Sequence, residues 1–123
     1  MNARLLAAAF ALAATLLVPS TAKAHAFLDH ADPAVGSTEP KAPAVVHIWF
    51  TQELEPAFSW IKVTDKSGND IADGASFVDP NNKQEMDIKL KPVEGGTYSV
   101  KWHALSVDTH TTEGDFTFEI KGK

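Results

Sequence analysis

The sequence contains no cysteine and only two methionines, Met1 and Met86. The absence of cysteine excludes disulfides, thiol nucleophiles, iron–sulfur clusters and thiolate metal sites. Any metal ion must therefore be bound by histidine, aspartate, glutamate, methionine or the terminal amine.

Basic residues are also scarce, with 11 Lys and Arg against 16 Asp and Glu and a formal net charge of −5. Nucleic acids and anionic lipids select for basic patches, so neither is expected as a partner. An acidic chain of this kind suits a soluble protein that handles cations.

A helical stripe is lacking after residue 24, and apolar residues instead recur at every second position. This period of two is typical of half-buried antiparallel strands. The predicted inward-facing residues are Val46, Ile48, Phe50, Ile61, Val63, Met86, Ile88, Leu90, Tyr98, Val100, Trp102, Ala104, Phe116, Phe118 and Ile120. The residues between them, Asp87 among them, are predicted to face water. Turn residues separate the runs, which predicts an all-β sandwich or small barrel with Greek-key connections.

Residues 1–24 have the three parts of a secretory signal peptide. Arg4 gives a charged start, Leu5 to Val18 is apolar apart from one threonine, and Ala22-Lys23-Ala24 ends the segment with small residues. The apolar run is shorter than the about 20 residues of a membrane-spanning helix, although a retained anchor is the alternative. Cleavage after Ala24 leaves one domain, residues 25–123, with 9 basic and 16 acidic residues and a net charge of −7.

His25 becomes the first residue of the chain after this cleavage. Its α-amine and its imidazole can then bind one ion together and close a chelate ring. The amine has a reference pKa of about 7.7–8.0, so it can lose its proton to a metal near neutral pH. A nitrogen-rich, tetragonal arrangement suits Cu(II).

A second candidate lies in the polar segment Ser106–Gly114, between two predicted strands. Asp108 and His110 are two residues apart, so in an extended segment their side chains point to the same side. One carboxylate and one imidazole can then bind the same ion. The alternative is a polar loop in which Asp108 caps a turn and His110 is solvated.

Together these segments bring out a resemblance to the CopC-type copper-resistance proteins over essentially the whole chain after residue 24. The features that carry it are His25 directly after the signal and the segments Asp32–Gly36, Ile48–Thr51 and Gly96–Trp102. The loop Ser106-Val107-Asp108-Thr109-His110, with Gly114, completes the pattern.

The resemblance implies a cupredoxin/immunoglobulin-like Greek-key β-sandwich of about seven strands, located in the periplasm. The protein is expected to be a monomer. It implies that one Cu(II) per chain is bound without catalysis, through the amine and ring of His25 and through Asp108 and His110. It further implies a role in copper homeostasis or resistance, by buffering, sequestration or delivery to an inner-membrane copper protein of the CopD type. No insertion into the membrane is expected after processing.

Two departures from the family pattern stand out. Some relatives carry a Glu just after the Phe-Ser of the second strand, where this chain has Gln52, and Glu53 comes one residue late. Because a shift of one residue turns a strand side chain to the other face, Glu53 is a doubtful support for the site. Some relatives also have a Met-rich Cu(I) site, but here Met86 fits the predicted core, so no Cu(I) site is expected.

The remaining histidines, His30, His47 and His103, have no second ligand at a telling spacing, and surface or structural roles are expected. His103 is close enough in sequence to the loop to support it. Two rival functions stay open. One is a copper-dependent polysaccharide monooxygenase, which also uses an N-terminal histidine chelate but needs a broad docking surface. The other is an interaction domain without metal.

Overall fold

The computed structural model describes residues 25–122, so the predicted signal peptide lies outside the described residues. Eight strands and one 3-10 turn at Pro56–Phe58 make up the regular structure of this part of the chain. The strands are β1 (Leu28–Asp32), β2 (Thr38–Glu39), β3 (Val45–Phe50), β4 (Trp60–Thr64), β5 (Phe77–Asp79), β6 (Asn82–Lys89), β7 (Gly96–Leu105) and β8 (Thr111–Ile120).

The strands form two four-stranded sheets, in the orders β1-β3-β6-β5 and β2-β8-β7-β4. All neighbours are antiparallel except β2 and β8, which pair in parallel. The predicted all-β sandwich is confirmed. The sequence alternation reveals five of the strands, whereas β2 and β5, of two and three residues, are too short to show a period. No helix within residues 25–122 has the length and apolarity to cross a bilayer.

The core lies between the sheets and consists of the side chains that the alternation predicts. Every residue of the predicted inward-facing set is at most 6% exposed, and Val46, Ile48, Val63, Met86, Val100 and Ala104 are completely buried. The prediction that Met86 is a core residue is therefore confirmed. Burial of each such large apolar side chain contributes about 1.5–3 kcal/mol.

Asp87 is an exception to the alternation, because the structure buries it to 6% exposure although the sequence places it among water-facing residues. It lies on the outer face of its sheet, between His47 of β3 and Phe77 of β5 in the strand register. The His47 ring is hydrogen-bonded to its carboxylate. The prediction of a water-facing Asp87 is wrong because neighbouring strands, which the local sequence does not show, decide the exposure of this face.

Gly114 allows close packing in the β7–β8 ladder. It pairs with Trp102, and a Cβ atom at residue 114 would lie 2.5 Å from Cζ2 of the Trp102 indole. The same indole packs edge-on against Phe50 of the opposite sheet, with ring centroids 5.1 Å apart. The glycine therefore leaves the space that the tryptophan fills.

Candidate metal centre

The segment that begins with His25 is fastened to one end of the sandwich. The Phe27 amide donates to Thr51 Oγ1 (3.0 Å), and the Thr51 amide donates back to the Phe27 carbonyl (2.9 Å). The Thr51 hydroxyl donates to the His25 carbonyl (3.3 Å), while the Thr112 hydroxyl donates to the carbonyl of the buried Ala26. His25 is thus held between the end of β3 and the start of β8, with its side chain exposed.

The loop between β7 and β8 is organised by the fully buried Ser106. Its amide donates to the His110 carbonyl (3.0 Å), and its Oγ accepts the His110 amide (3.3 Å). Its carbonyl accepts the Thr109 amide (2.9 Å), and Thr109 has a left-handed φ of 68°. This tight turn leaves Asp108 exposed in the loop and places His110 directly before β8.

These two segments bring His25 and His110 together. Their ring centroids lie 4.5 Å apart, with 28° between the ring planes. Asp108 is less closely placed. Within residues 25–122, the ligand atoms of His25, Asp108 and His110 do not all lie within 4.8 Å of one another. The structure therefore pairs two of the three predicted ligands and leaves the third in the exposed loop next to them.

Glu53 and His103, the two candidates for support of this site, have other contacts. Glu53 meets the loop through its backbone, because its carbonyl accepts the Val107 amide (3.1 Å), while its side chain is exposed. The Nδ1 atom of His103 lies 2.8 Å from Glu113 Oε1, and the His103 ring stacks on Trp60. Both contacts place His103 in a surface cluster of its own.

A different trio of possible metal ligands lies on the outer face of the sheet β1-β3-β6-β5. His47 Nδ1 is 2.7 Å from Asp87 Oδ1 and 3.2 Å from Glu85 Oε2. Within the part of the chain that the structure describes, it is the one trio of such residues whose ligand atoms all lie within 4.8 Å of each other. Sequence reasoning missed this trio, because β3 and β6 are far apart in sequence and neither strand's sequence shows which residues pair across them. The sequence signal for this trio was the spacing of Glu85 and Asp87, which are two residues apart in β6 and therefore lie on the same face of the sheet.

Comparison with known proteins identifies the family of this chain. The family model described as the CopC domain matches residues 28–121. The chain belongs to the CopC family. The resemblance seen in the sequence is thereby confirmed.

Relatives in this family cover nearly the whole chain. Copper resistance protein C of Pseudomonas syringae pv. tomato is 36% identical over 115 residues, which are 89% of this chain and 90% of that protein. Protein YobA of Escherichia coli is 33% identical over 121 residues, 98% of both chains. Copper transport protein CutJ of Bacillus subtilis is 31% identical over 85% of this chain, which matches 20% of that protein.

Solved CopC-family structures share the fold. CopC from Methylosinus trichosporium superposes with a TM-score of 0.71 at 29% identity, covering 80% of this chain and 95% of that one. PcoC from Escherichia coli, described as a methionine-rich copper resistance protein, gives a TM-score of 0.68 at 33% identity and covers 80% of this chain and 100% of that one.

Two members of the outer-face trio in this CopC-family chain, His47 and Asp87, have shifted pKa values. The pKa of Asp87 is raised to about 6, because burial disfavours its charged form and because it hydrogen-bonds to Glu85, while His47 opposes the rise. Burial lowers the pKa of His47, but hydrogen bonds and charges of Asp87 and Glu85 outweigh it, so the net shift is upward. Both groups therefore bind protons more tightly in the folded chain than in the unfolded chain.

This shift predicts the pH dependence of stability in the metal-free CopC-family protein. The contribution of Asp87 to the free energy of unfolding is fully present below its unfolded pKa of about 3.9. It is lost as pH rises through its folded pKa of about 6. Asp87→Asn should therefore reduce the fall in unfolding free energy between about pH 4 and 7 by about 1–2 kcal/mol, after allowance for solvent screening. Urea denaturation in chelator measures this change. Asp115→Asn, at an exposed site, is the control, and parallel profiles for Asp87→Asn and the unmodified protein would contradict the prediction.

Proposed function

We propose that this protein binds one Cu(II) per chain in the periplasm and serves copper homeostasis, without catalysing a reaction. The ligands are the His25 amine and imidazole, the His110 imidazole and the Asp108 carboxylate. The observation that carries the proposal is the 4.5 Å approach of the His25 and His110 rings at one end of the sandwich. Relatives named copper resistance protein C support it.

The donor set fits Cu(II) by its chemistry. Three nitrogens and one carboxylate oxygen match the tetragonal preference of Cu(II), which also leads the divalent ions in affinity. The amine loses its proton near neutral pH, and the carboxylate offsets part of the ion's charge. Two hydrogen bonds, from the Thr51 hydroxyl to the His25 carbonyl and from the His110 amide to Ser106 Oγ, hold the two histidine segments in place before the ion arrives. Asp108, in its exposed loop, closes on the ion from outside.

Cu(I) is not the expected cargo of this chain. Soft sulfur ligands select Cu(I), and the PcoC structure is described as that of a methionine-rich protein. Here the single methionine after residue 24 is Met86, which is completely buried in the core. Reduction of the bound ion should therefore favour its release.

Export and transfer complete the proposal. The signal peptide over residues 1–24 directs the chain to the periplasm, and its removal creates the His25 amine. A copper protein of the inner membrane, of the CopD type, is the proposed partner. The match to one fifth of CutJ supports this, because a CopC-like segment there is part of a longer protein named for copper transport.

The proposal is tested by Cu(II) titration of protein that begins at His25. One ion should bind tightly at this site, and His110→Ala should weaken that tight binding by more than about tenfold, since loss of a direct ligand exceeds the effect of an orienting partner. His30→Ala removes an exposed histidine elsewhere and should leave the affinity unchanged. Equal affinities of the two variants, or no copper binding at all, would refute the site.

A further inference from the structure

The outer-face trio His47, Glu85 and Asp87 is remote from the site proposed above. The Phe27 segment pairs with Thr51, and His47 lies four residues farther along β3. At about 3.3 Å per strand residue, these four residues place His47 about 13 Å from Thr51, whose hydroxyl contacts the His25 carbonyl. An ion bound here would share no ligand with His25, Asp108 or His110.

We propose that His47, Glu85 and Asp87 form a second divalent-cation site, suited to Zn(II) or a second Cu(II). The nitrogen and oxygen atoms already converge, at 2.7 and 3.2 Å from His47 Nδ1. An ion with ligands at about 2.0–2.2 Å in tetrahedral geometry holds those ligand atoms about 3.4 Å apart. The ion can therefore enter if these two distances lengthen by about 0.7 and 0.2 Å.

The charges of the trio are not balanced without a cation. Both carboxylates approach the same imidazole nitrogen, which carries one hydrogen at most. The side chains of Asp87 and Glu85 are only 9% and 13% exposed. Among residues 25–122, neither carboxylate forms an ion pair with Lys or Arg. A divalent ion would neutralise both carboxylates, and the imidazole would become its third ligand.

Trp49 orients one of the proposed ligands. Its indole Nε1–H donates to Glu85 Oε1 (3.0 Å), which directs the other oxygen, Oε2, toward His47. A hydrogen bond that fixes the non-coordinating atom of a ligand is a regular feature of metal sites. The His47 ring also packs beside the Trp49 ring, with centroids 5.6 Å apart.

The ligand types define the class of ion. One imidazole and two carboxylates suit Zn(II) and Cu(II) and lack the sulfur that selects Cu(I). His47 is 34% exposed, so water can reach the ion from that side and fill its remaining positions. This open side allows the ion to exchange with solvent.

The test uses protein carrying His25→Ala and His110→Ala, which lacks the first proposed site. Calorimetric titration with Zn(II), and with Cu(II) monitored by tryptophan fluorescence, should show one ion per chain. Cu(II) should quench the emission of Trp49. Adding Asp87→Asn or Glu85→Gln should weaken binding at least about tenfold. Adding Asp29→Asn should not, although Asp29 and His30 form an exposed pair at the same 2.7 Å separation.

The proposal is overturned if the parent double variant binds neither ion, or if Asp87→Asn and Glu85→Gln bind as tightly as the parent. Circular dichroism establishes that each variant is folded, and Glu85→Gln, at the less buried position, decides the test if Asp87→Asn does not fold. Because His25 and His110 are absent from the tested protein, failure here leaves the first site untouched. Loss of only the tightly bound Cu(II) on His110→Ala likewise leaves this second site standing.

Discussion

Extending the chain by four residues, Gly-Ser-Gly-Ser, before His25 should weaken Cu(II) binding at the proposed first site by more than about 100-fold. Every side chain stays in place, but the free amine moves away from the His25 ring and the chelate is lost. Loss of a direct ligand should exceed the 10–100-fold cost of losing an orienting partner. Competition titration gives the affinity, and the visible spectrum reports the loss of a nitrogen ligand.

The matched control carries the same four residues after Lys123 and should bind as the unmodified protein does. Intact mass must show that the unmodified protein covers residues 25–123, because a different start removes the proposed amine ligand. An extended protein with unchanged affinity and spectrum would show that the amine is not a ligand.

Gly114→Val should lower the free energy of unfolding by about 3 kcal/mol, at the upper end of the usual cost of overpacking. A Cβ at this position would lie 2.5 Å from Trp102 Cζ2 and 2.7 Å from Cε2, and valine adds two methyl groups beyond it. Trp102 is 6% exposed and packs against Phe50, so it has little room to move. Urea denaturation measures the loss.

Two further variants separate crowding from other effects at Gly114. Thr117→Val places the same residue at an exposed position of β8 and should change stability by less than about 1 kcal/mol. Trp102→Leu leaves space above Gly114, so the double variant should lose less stability than the sum of the single variants. Additive losses would show that contact with Trp102 is not the cause.

The core was predictable because burial on one face of a strand imposes a period of two on the sequence. Val46, Ile48 and Phe50 show this period in six residues of β3, and all three are buried. The pairing of the strands was not predictable in the same way, since β1 pairs with β3 and β6 lies between β3 and β5. Such neighbours are set by long-range packing, which a local pattern does not contain.

The same reason limits what the sequence says about sites. His25 could be singled out because the predicted cleavage would make it the N-terminal residue, and Asp108 and His110 because they are two residues apart. The approach of the His25 and His110 rings depends on Thr51 and Thr112, whose hydroxyls hold the segment around His25. Neither threonine carries a sequence signal for that role. His47 and Asp87 were likewise unremarkable until the register of β3 and β6 placed them opposite each other.

The strand order has a consequence for self-association. The outer strands of the two sheets are β1, β5, β2 and β4. Two of them, β2 and β5, are too short to template an added strand, with two and three residues. The longer β1 presents the exposed acids Asp29 and Asp32, and β4 presents Lys62. Short or charged edges resist edge-to-edge pairing between molecules. We therefore expect the chains to remain separate at high concentration. Transfer of a metal ion to another protein would then not require an aggregate to dissociate first.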